Sequence, residues 1–81
     1  MRIVFKDEAF GEVKEISIII VINNRVLTRK MVRAGNCWLI DMDIPDGEHM
    51  YKYVINESLR FNDKDAYKYV RWKDGEVWSV L

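Results

Sequence analysis

Apolar and polar positions alternate with a period of two along most of this chain. In residues 15–22, Ile16, Ile18, Ile20 and Ile22 fall on one face of a strand, and Ser17, Ile19 and Val21 on the other. The β-branched run from Ile18 to Ile22 favours a pleated backbone. A strand apolar on both faces is expected to be central, or covered on both sides. Residues 37–44 repeat the pattern, with Trp38, Ile40, Met42 and Ile44 opposite Leu39, Asp41 and Asp43. So do residues 48–55, with His49, Tyr51, Tyr53 and Ile55 opposite Met50, Lys52 and Val54. Between them, Pro45-Asp46-Gly47 carries turn chemistry, since Pro fixes φ and Gly accepts positive φ. Residues 37–55 therefore read as two strands joined by a tight turn.

The remaining segments are short. Residues 2–5 make an extended opening. Asn23-Asn24 is a turn signal, because Asn tolerates the left-handed region. Residues 26–33 carry mixed faces, and as one strand they would bring Arg25, Arg29 and Arg33 to a common side. Asn56-Glu57 suits a two-residue hairpin loop, with residues 58–61 returning. In the closing residues 76–81, Val77, Ser79 and Leu81 oppose Glu76, Trp78 and Val80. No segment shows a 3.6-residue period. About seven short strands bounded by turns predict an all-β sandwich, in one domain spanning residues 1–81.

Composition narrows the chemistry. The 13 Lys and Arg balance the 13 Asp and Glu, so no basic excess speaks for nucleic acid or an anionic membrane. Tyr67-Lys68-Tyr69-Val70-Arg71-Trp72-Lys73 mixes basic and aromatic residues, but alternation divides them between two faces, and nucleic-acid binding is not expected. The apolar run at residues 18–22 is too short to span a bilayer, and the opening shows no signal-peptide core. With Cys37 as its one cysteine, the chain has no intramolecular disulfide and no multi-thiolate metal site. A cytoplasmic, membrane-free protein without cofactor is the expectation. His49 shares a face with Tyr51 and Tyr53, which predicts a hydrogen-bonded, partly buried ring rather than a catalytic one. No Ser or Cys forms a nucleophile motif with it. Asp41, Asp43 and Asp46 match no calcium-loop spacing and read as a solvated acidic face. No enzyme is expected.

The order Trp38-x-Ile40-x-Met42-x-Ile44-Pro45-x-Gly47-Glu48-x-x-Tyr51-Lys52-Tyr53-x-Ile55 resembles the family-48 carbohydrate-binding module. That module is the glycogen-binding domain of the AMP-activated protein kinase beta subunit, and it also precedes the catalytic barrel of branching and debranching enzymes. Residues 76–81 are similar to its closing strand, and residues 14–24, ending in Asn23-Asn24, to its first. The resemblance covers residues 14–81 and implies an immunoglobulin-like, early-set β-sandwich that binds α-glucan without catalysing anything.

In that family, tryptophans stack on the apolar faces of glucose while a lysine and an asparagine bind hydroxyls. The resemblance carries the lysine to Lys52. It carries the two stacking tryptophans to Arg25 and Leu59, and the asparagine to Trp78, so both stacking positions are lost. Trp78 and Trp72 could form a relocated platform with Lys52 and Arg25, or could serve as structural, edge-covering aromatics. Lys52, Trp78, Trp72 and Asn24 are the candidate carbohydrate contacts. Trp38 matches the family's inward aromatic and is expected in the core. The alternative to a glucan module is the same sandwich docking onto a protein partner, or onto itself, with sugar binding lost.

Overall fold

The structure is a computed structural model and describes residues 1–6 and 13–81. Among the described residues there are nine strands and no helix: β1 (Arg2–Lys6), β2 (Ile16–Ile22), β3 (Arg25–Lys30), β4 (Val32–Ala34), β5 (Cys37–Asp41), β6 (Met50–Ile55), β7 (Leu59–Phe61), β8 (Lys68–Arg71) and β9 (Val77–Val80). They form two antiparallel sheets, a smaller one in the order β1-β5-β4 and a larger one in the order β3-β2-β6-β9-β8, with β7 also pairing β6. The all-β sandwich predicted by the alternation is what the chain builds. It has more strands than the pattern suggested because residues 26–33 divide into β3 and β4 and residues 68–71 form β8. Among the described residues, no helix is long and apolar enough to cross a membrane.

The core lies between the sheets. Ile16, Ile18 and Ile20 of β2 and Tyr51, Tyr53 and Ile55 of β6 face Ile3, Phe5 and Trp38 of the smaller sheet, all of them buried. Phe5 meets Tyr53 edge to face, with ring centroids 4.7 Å apart. β2 occupies the interior position its two-sided apolarity requires, between β3 and β6. Trp38 is in the core as its alternation implied, with Arg33 5.3 Å from its ring centroid.

Residues 37–55 do not form a hairpin. β5 pairs β1 and β4 in the smaller sheet, whereas β6 pairs β2, β7 and β9 in the larger one. The Pro45-Asp46-Gly47 turn, with Gly47 at φ 113°, thus marks a crossing from one sheet to the other. Alternation explains the misreading. Inward stripes on strands of facing sheets look, in sequence, like inward stripes on neighbours within one sheet. Met42 and Ile44 still pack against the core beyond the end of β5 at Asp41, and Met42 exchanges backbone bonds with Met1 at 2.9 and 2.8 Å.

The division within residues 26–33 falls at Met31. This residue is buried, its N–H donates to the Ile16 carbonyl at 2.8 Å, and β3 ends there while β4 begins in the other sheet. The expected common side for Arg25, Arg29 and Arg33 is broken by this corner, which moves Arg33 onto the smaller sheet. The turn at Asn23-Asn24 behaves as read. Asn23 and Asn24 take φ 52° and 63° between paired Ile22 and Arg25. The next loop is one residue longer than read, since Ile55 pairs Leu59 across residues 56–58. Asn56 and Glu57 take φ 51° and 65° there, and the Asn56 Oδ1 accepts the N–H groups of Lys14 (2.7 Å) and Glu15 (3.2 Å).

Candidate functional site

Alternation on β6 sends Tyr51, Tyr53 and Ile55 to the core and Met50, Lys52 and Val54 to the opposite, outer face of the larger sheet. β9 pairs beside it, Tyr51 to Ser79 and Met50 to Val80. One step further along the two strands, Trp78 therefore lies next to Lys52 on the outer face. β8 brings Val70 to the other side of Trp78. The outer face carries its own buried apolar groups, Val21, Trp78 and Val80, separate from the core between the sheets.

Trp78 is the centre of a closed cluster. The Lys52 Nζ is 4.9 Å from its ring centroid and the Arg60 Cζ 5.6 Å. Trp72 packs against it edge to face, with centroids 5.6 Å apart and planes at 83°. Glu76 joins the two cations, its Oε1 3.4 Å from Lys52 Nζ and its Oε2 3.4 Å from Arg60 Nη1. The Trp78 indole N–H donates to Asp74 Oδ2 at 3.0 Å, while Asp74 Oδ1 accepts the Glu76 N–H at 2.9 Å. Trp78 is 1% exposed and Lys52 6%. A lysine that buried needs a counter-charge and a face for its stem, and Glu76 and the indole supply them.

The turn that closes the cluster follows from its sequence. Gly75 takes φ 83°, its N–H bonds the Trp72 carbonyl at 2.9 Å, and the Trp72 N–H bonds the Glu76 carbonyl at 3.0 Å. Loss of solvent works against ionisation of Asp74. It is outweighed by hydrogen bonds from the Glu76 N–H and the Trp78 indole and by the charges of Lys52 and Arg60, which hold the carboxyl below its ordinary value. Lys73 lies 5.1 Å from the centroid of Trp72, which is half-buried.

Lys52, Trp72 and Trp78 thus converge, but Asn24 does not join them. It is exposed in the β2–β3 turn, beyond the Ile22 end of β2, whereas Lys52 pairs with Ile19. Arg25 and Leu59 lie still further apart. Arg25 pairs with Ile22, and Leu59 pairs with Ile55, which in turn pairs with Ile16. The length of β2 between those levels is roughly 20 Å. Sequence reasoning missed Arg60, Glu76 and Asp74. The only local sign of Glu76 was its place two residues before Trp78 on the same strand face.

A second polar group, on the core side, was also missed. Asp63 Oδ2 accepts the hydroxyls of Tyr51 (2.7 Å) and Tyr53 (3.4 Å), and the Asp63 N–H donates to Ser79 Oγ at 2.7 Å. Asn62 Oδ1 accepts the Ser79 N–H at 2.9 Å, and its Nδ2 donates to the Val77 carbonyl at 2.9 Å. These bonds fasten β9 beside β6 at the point where β7 ends. Burial and the neighbouring Asp63 carboxylate push both phenols above their ordinary value. In sequence, Asn62-Asp63 signalled only a loop.

Other candidate chemistry is dispersed. His49 is half-buried, with its Nε2 2.8 Å from the Pro45 carbonyl. The Cys37 Sγ contacts Asn36 Oδ1 at 3.4 Å. Asp41 forms a two-point pair with Arg2 at 2.9 and 3.1 Å, and the hydrogen bond from Arg2 holds its carboxyl below the ordinary value. Among the described residues no group of three or more His, Cys, Asp or Glu is arranged to hold a metal ion.

No family model and no curated protein matches the chain. The likeness to family-48 modules stays with the residues that carry it. On its own chemistry the Trp78 cluster is a packed, charge-paired cap over the outer face of the sheet. A sugar ring stacks on an aromatic face in van der Waals contact. Here Lys52 and Arg60 lie over the indole that would offer that face.

Proposed function

We propose that this domain is a non-catalytic binding module, with the architecture of a carbohydrate-binding sandwich, that recognises protein rather than sugar. The observation that carries this reading is Trp78, 1% exposed beneath Lys52 and Arg60. The other positions implied by the resemblance point the same way, since Arg25 and Leu59 replace the stacking aromatics. Apolar surface is available for docking instead. Val4, Leu39 and Val32 pair in register across the outer face of the smaller sheet, with Val4 45% and Val32 65% exposed. A non-catalytic role is supported by the engagement of His49 with the Pro45 carbonyl. A cytoplasmic setting fits the free thiol of Cys37.

The second reading is α-glucan binding. It is favoured by the convergence of Lys52, Trp72 and Trp78, with Trp72 only half-buried. One titration separates the two. Maltoheptaose and β-cyclodextrin are added to the 81-residue chain up to about 10 mM, well above the dissociation constants of weak specific sites. Tryptophan fluorescence and amide shifts are followed. Protein docking predicts no saturable response. A saturable response that disappears in Trp72→Ala would establish the glucan reading. Size-exclusion chromatography with light scattering then distinguishes a second copy from a foreign protein as the partner.

A further inference from the structure

We infer that the free edge of β3 is a docking strand for an acidic, extended peptide, which adds to the larger sheet as a further antiparallel or parallel strand. This rests on the protein-docking reading and names its partner class.

β3 ends the larger sheet and, among the described residues, pairs only with β2. Its exposed backbone can be identified residue by residue. The two-residue turn at Asn23-Asn24 makes Ile22 and Arg25 a hydrogen-bonded pair, and such pairs alternate along an antiparallel ladder. Arg25, Leu27 and Arg29 therefore direct their N–H and C=O groups towards β2. Met31 keeps the same parity, as its N–H bond to the Ile16 carbonyl shows. Val26, Thr28 and Lys30 direct theirs away from β2, to the open side. The Arg29 guanidinium donates to the outward Thr28 carbonyl at 2.9 Å, so a guanidinium stands where a partner strand's N–H would bond. An incoming strand replaces that contact and frees the guanidinium for a carboxylate.

Charge selects the occupant. Arg25, Arg29 and Lys30 are exposed on this strand, and no Asp or Glu occurs anywhere in residues 24–40. Among the described residues, Lys30 has a distant ion-pair partner, Glu15 at 3.9 Å. A second copy pairing edge to edge would set two sets of Arg25, Arg29 and Lys30 against one another, and like charges across a ladder are destabilising. Basic side chains on an edge strand block self-pairing for that reason. The same array attracts a strand with carboxylates at alternate positions, near Arg25 and Arg29. Val26, 53% exposed, offers the other side of the strand an apolar contact. Backbone bonds supply affinity and the alternate side chains supply specificity.

The test uses the 81-residue chain and an acetylated, amidated octapeptide of alternating glutamate and valine, with the lysine–valine octapeptide as control. The amide resonances of Val26, Thr28 and Lys30 are expected to shift saturably with the glutamate peptide alone, and their hydrogen exchange to slow at least about tenfold. Arg25→Glu with Arg29→Glu is expected to weaken binding at least about tenfold. Thr28→Pro keeps every charge but removes an outward N–H, which edge strands tolerate, and is expected to weaken it similarly. Circular dichroism confirms that both variants fold. Undiminished binding by Thr28→Pro would mean simple electrostatic adhesion and would overturn strand addition. Shifts confined to the outer faces of the sheets, with β3 silent, would overturn this inference while leaving protein docking standing. Silence everywhere would overturn it as well, and the sugar titration would then judge the docking reading separately.

Discussion

The two faces of the larger sheet are built on the same strands with different chemistry. On the inner face, Ile16, Ile18, Ile20, Tyr51, Tyr53 and Ile55 pack against the smaller sheet, and the hydroxyls of Tyr51, Tyr53 and Ser79 are fastened to Asp63 and Asn62. On the outer face, among the described residues, no second sheet arrives. Trp78 is buried there by side chains from its own sheet and the adjoining turn, with Lys52, Arg60, Trp72, Asp74 and Glu76 closing over it. An aromatic on an outward strand face can thus be as inaccessible as a core residue. What separates a binding platform from a structural cap is the occupancy of the ring face, not the face of the sheet.

The comparison breaks most visibly at Ile18. Truncating this fully buried residue in Ile18→Ala leaves a cavity between the sheets, and chemical denaturation is expected to show a loss of about 2–5 kcal/mol. A loss below about 1 kcal/mol would mean the inner face is not the main core.

Alkaline pH comes next. The folded state holds Tyr51 and Tyr53 protonated above their ordinary value of 10.0, because both are buried and lie beside Asp63. Their contribution to stability is complete below pH 10 and falls as pH rises further, since the unfolded chain ionises first. Denaturation midpoints should decline above about pH 10, and Tyr51→Phe should flatten the decline. An unchanged slope in Tyr51→Phe would remove this phenol from the account.

The smallest effects sharpen the outer face. Glu76→Gln leaves the Lys52 charge buried without its counter-ion and is expected to destabilise by about 1–2 kcal/mol, moderated because Glu76 is half open to solvent. Lys52→Met removes the charge and keeps the stem on the indole, so stability should stay within about 1 kcal/mol of the parent. Combined, the two substitutions should cost less than the sum of the separate ones, as expected for groups in direct contact.

Most of the fold was legible in the alternation, and its limits are instructive. The central place of β2 followed from apolar residues on both its faces, and the turn at Asn23-Asn24 from residues that tolerate positive φ. The loop at Asn56-Glu57 was legible as a turn but not in its length, since Glu57 also takes a positive φ of 65° that Glu rarely adopts. The corner at Met31 was not legible, because Lys30-Met31-Val32 contains no Gly or Pro and nothing local marks a change of sheet. The assignment of β5 and β6 to different sheets was hidden for the reason given by their matching stripes. At the candidate site, the grouping of Lys52, Trp72 and Trp78 was expected from the resemblance alone, and the pairing of β6 with β9 supplies its physical cause. The closure over Trp78 was not legible, since Arg60, Trp72 and Asp74 reach it from three separate segments.

The central claim is that Trp78 is a sealed structural residue and not a sugar platform. The most direct measurement is hydrogen exchange at its indole Nε1, with and without maltoheptaose, using the half-buried Trp72 indole as the internal comparison. Burial and the 3.0 Å bond to Asp74 predict slow exchange at Trp78, faster exchange at Trp72, and no change at either on adding the sugar. Exchange at Trp78 as fast as at a free indole, with a saturable shift on adding maltoheptaose, would contradict the account.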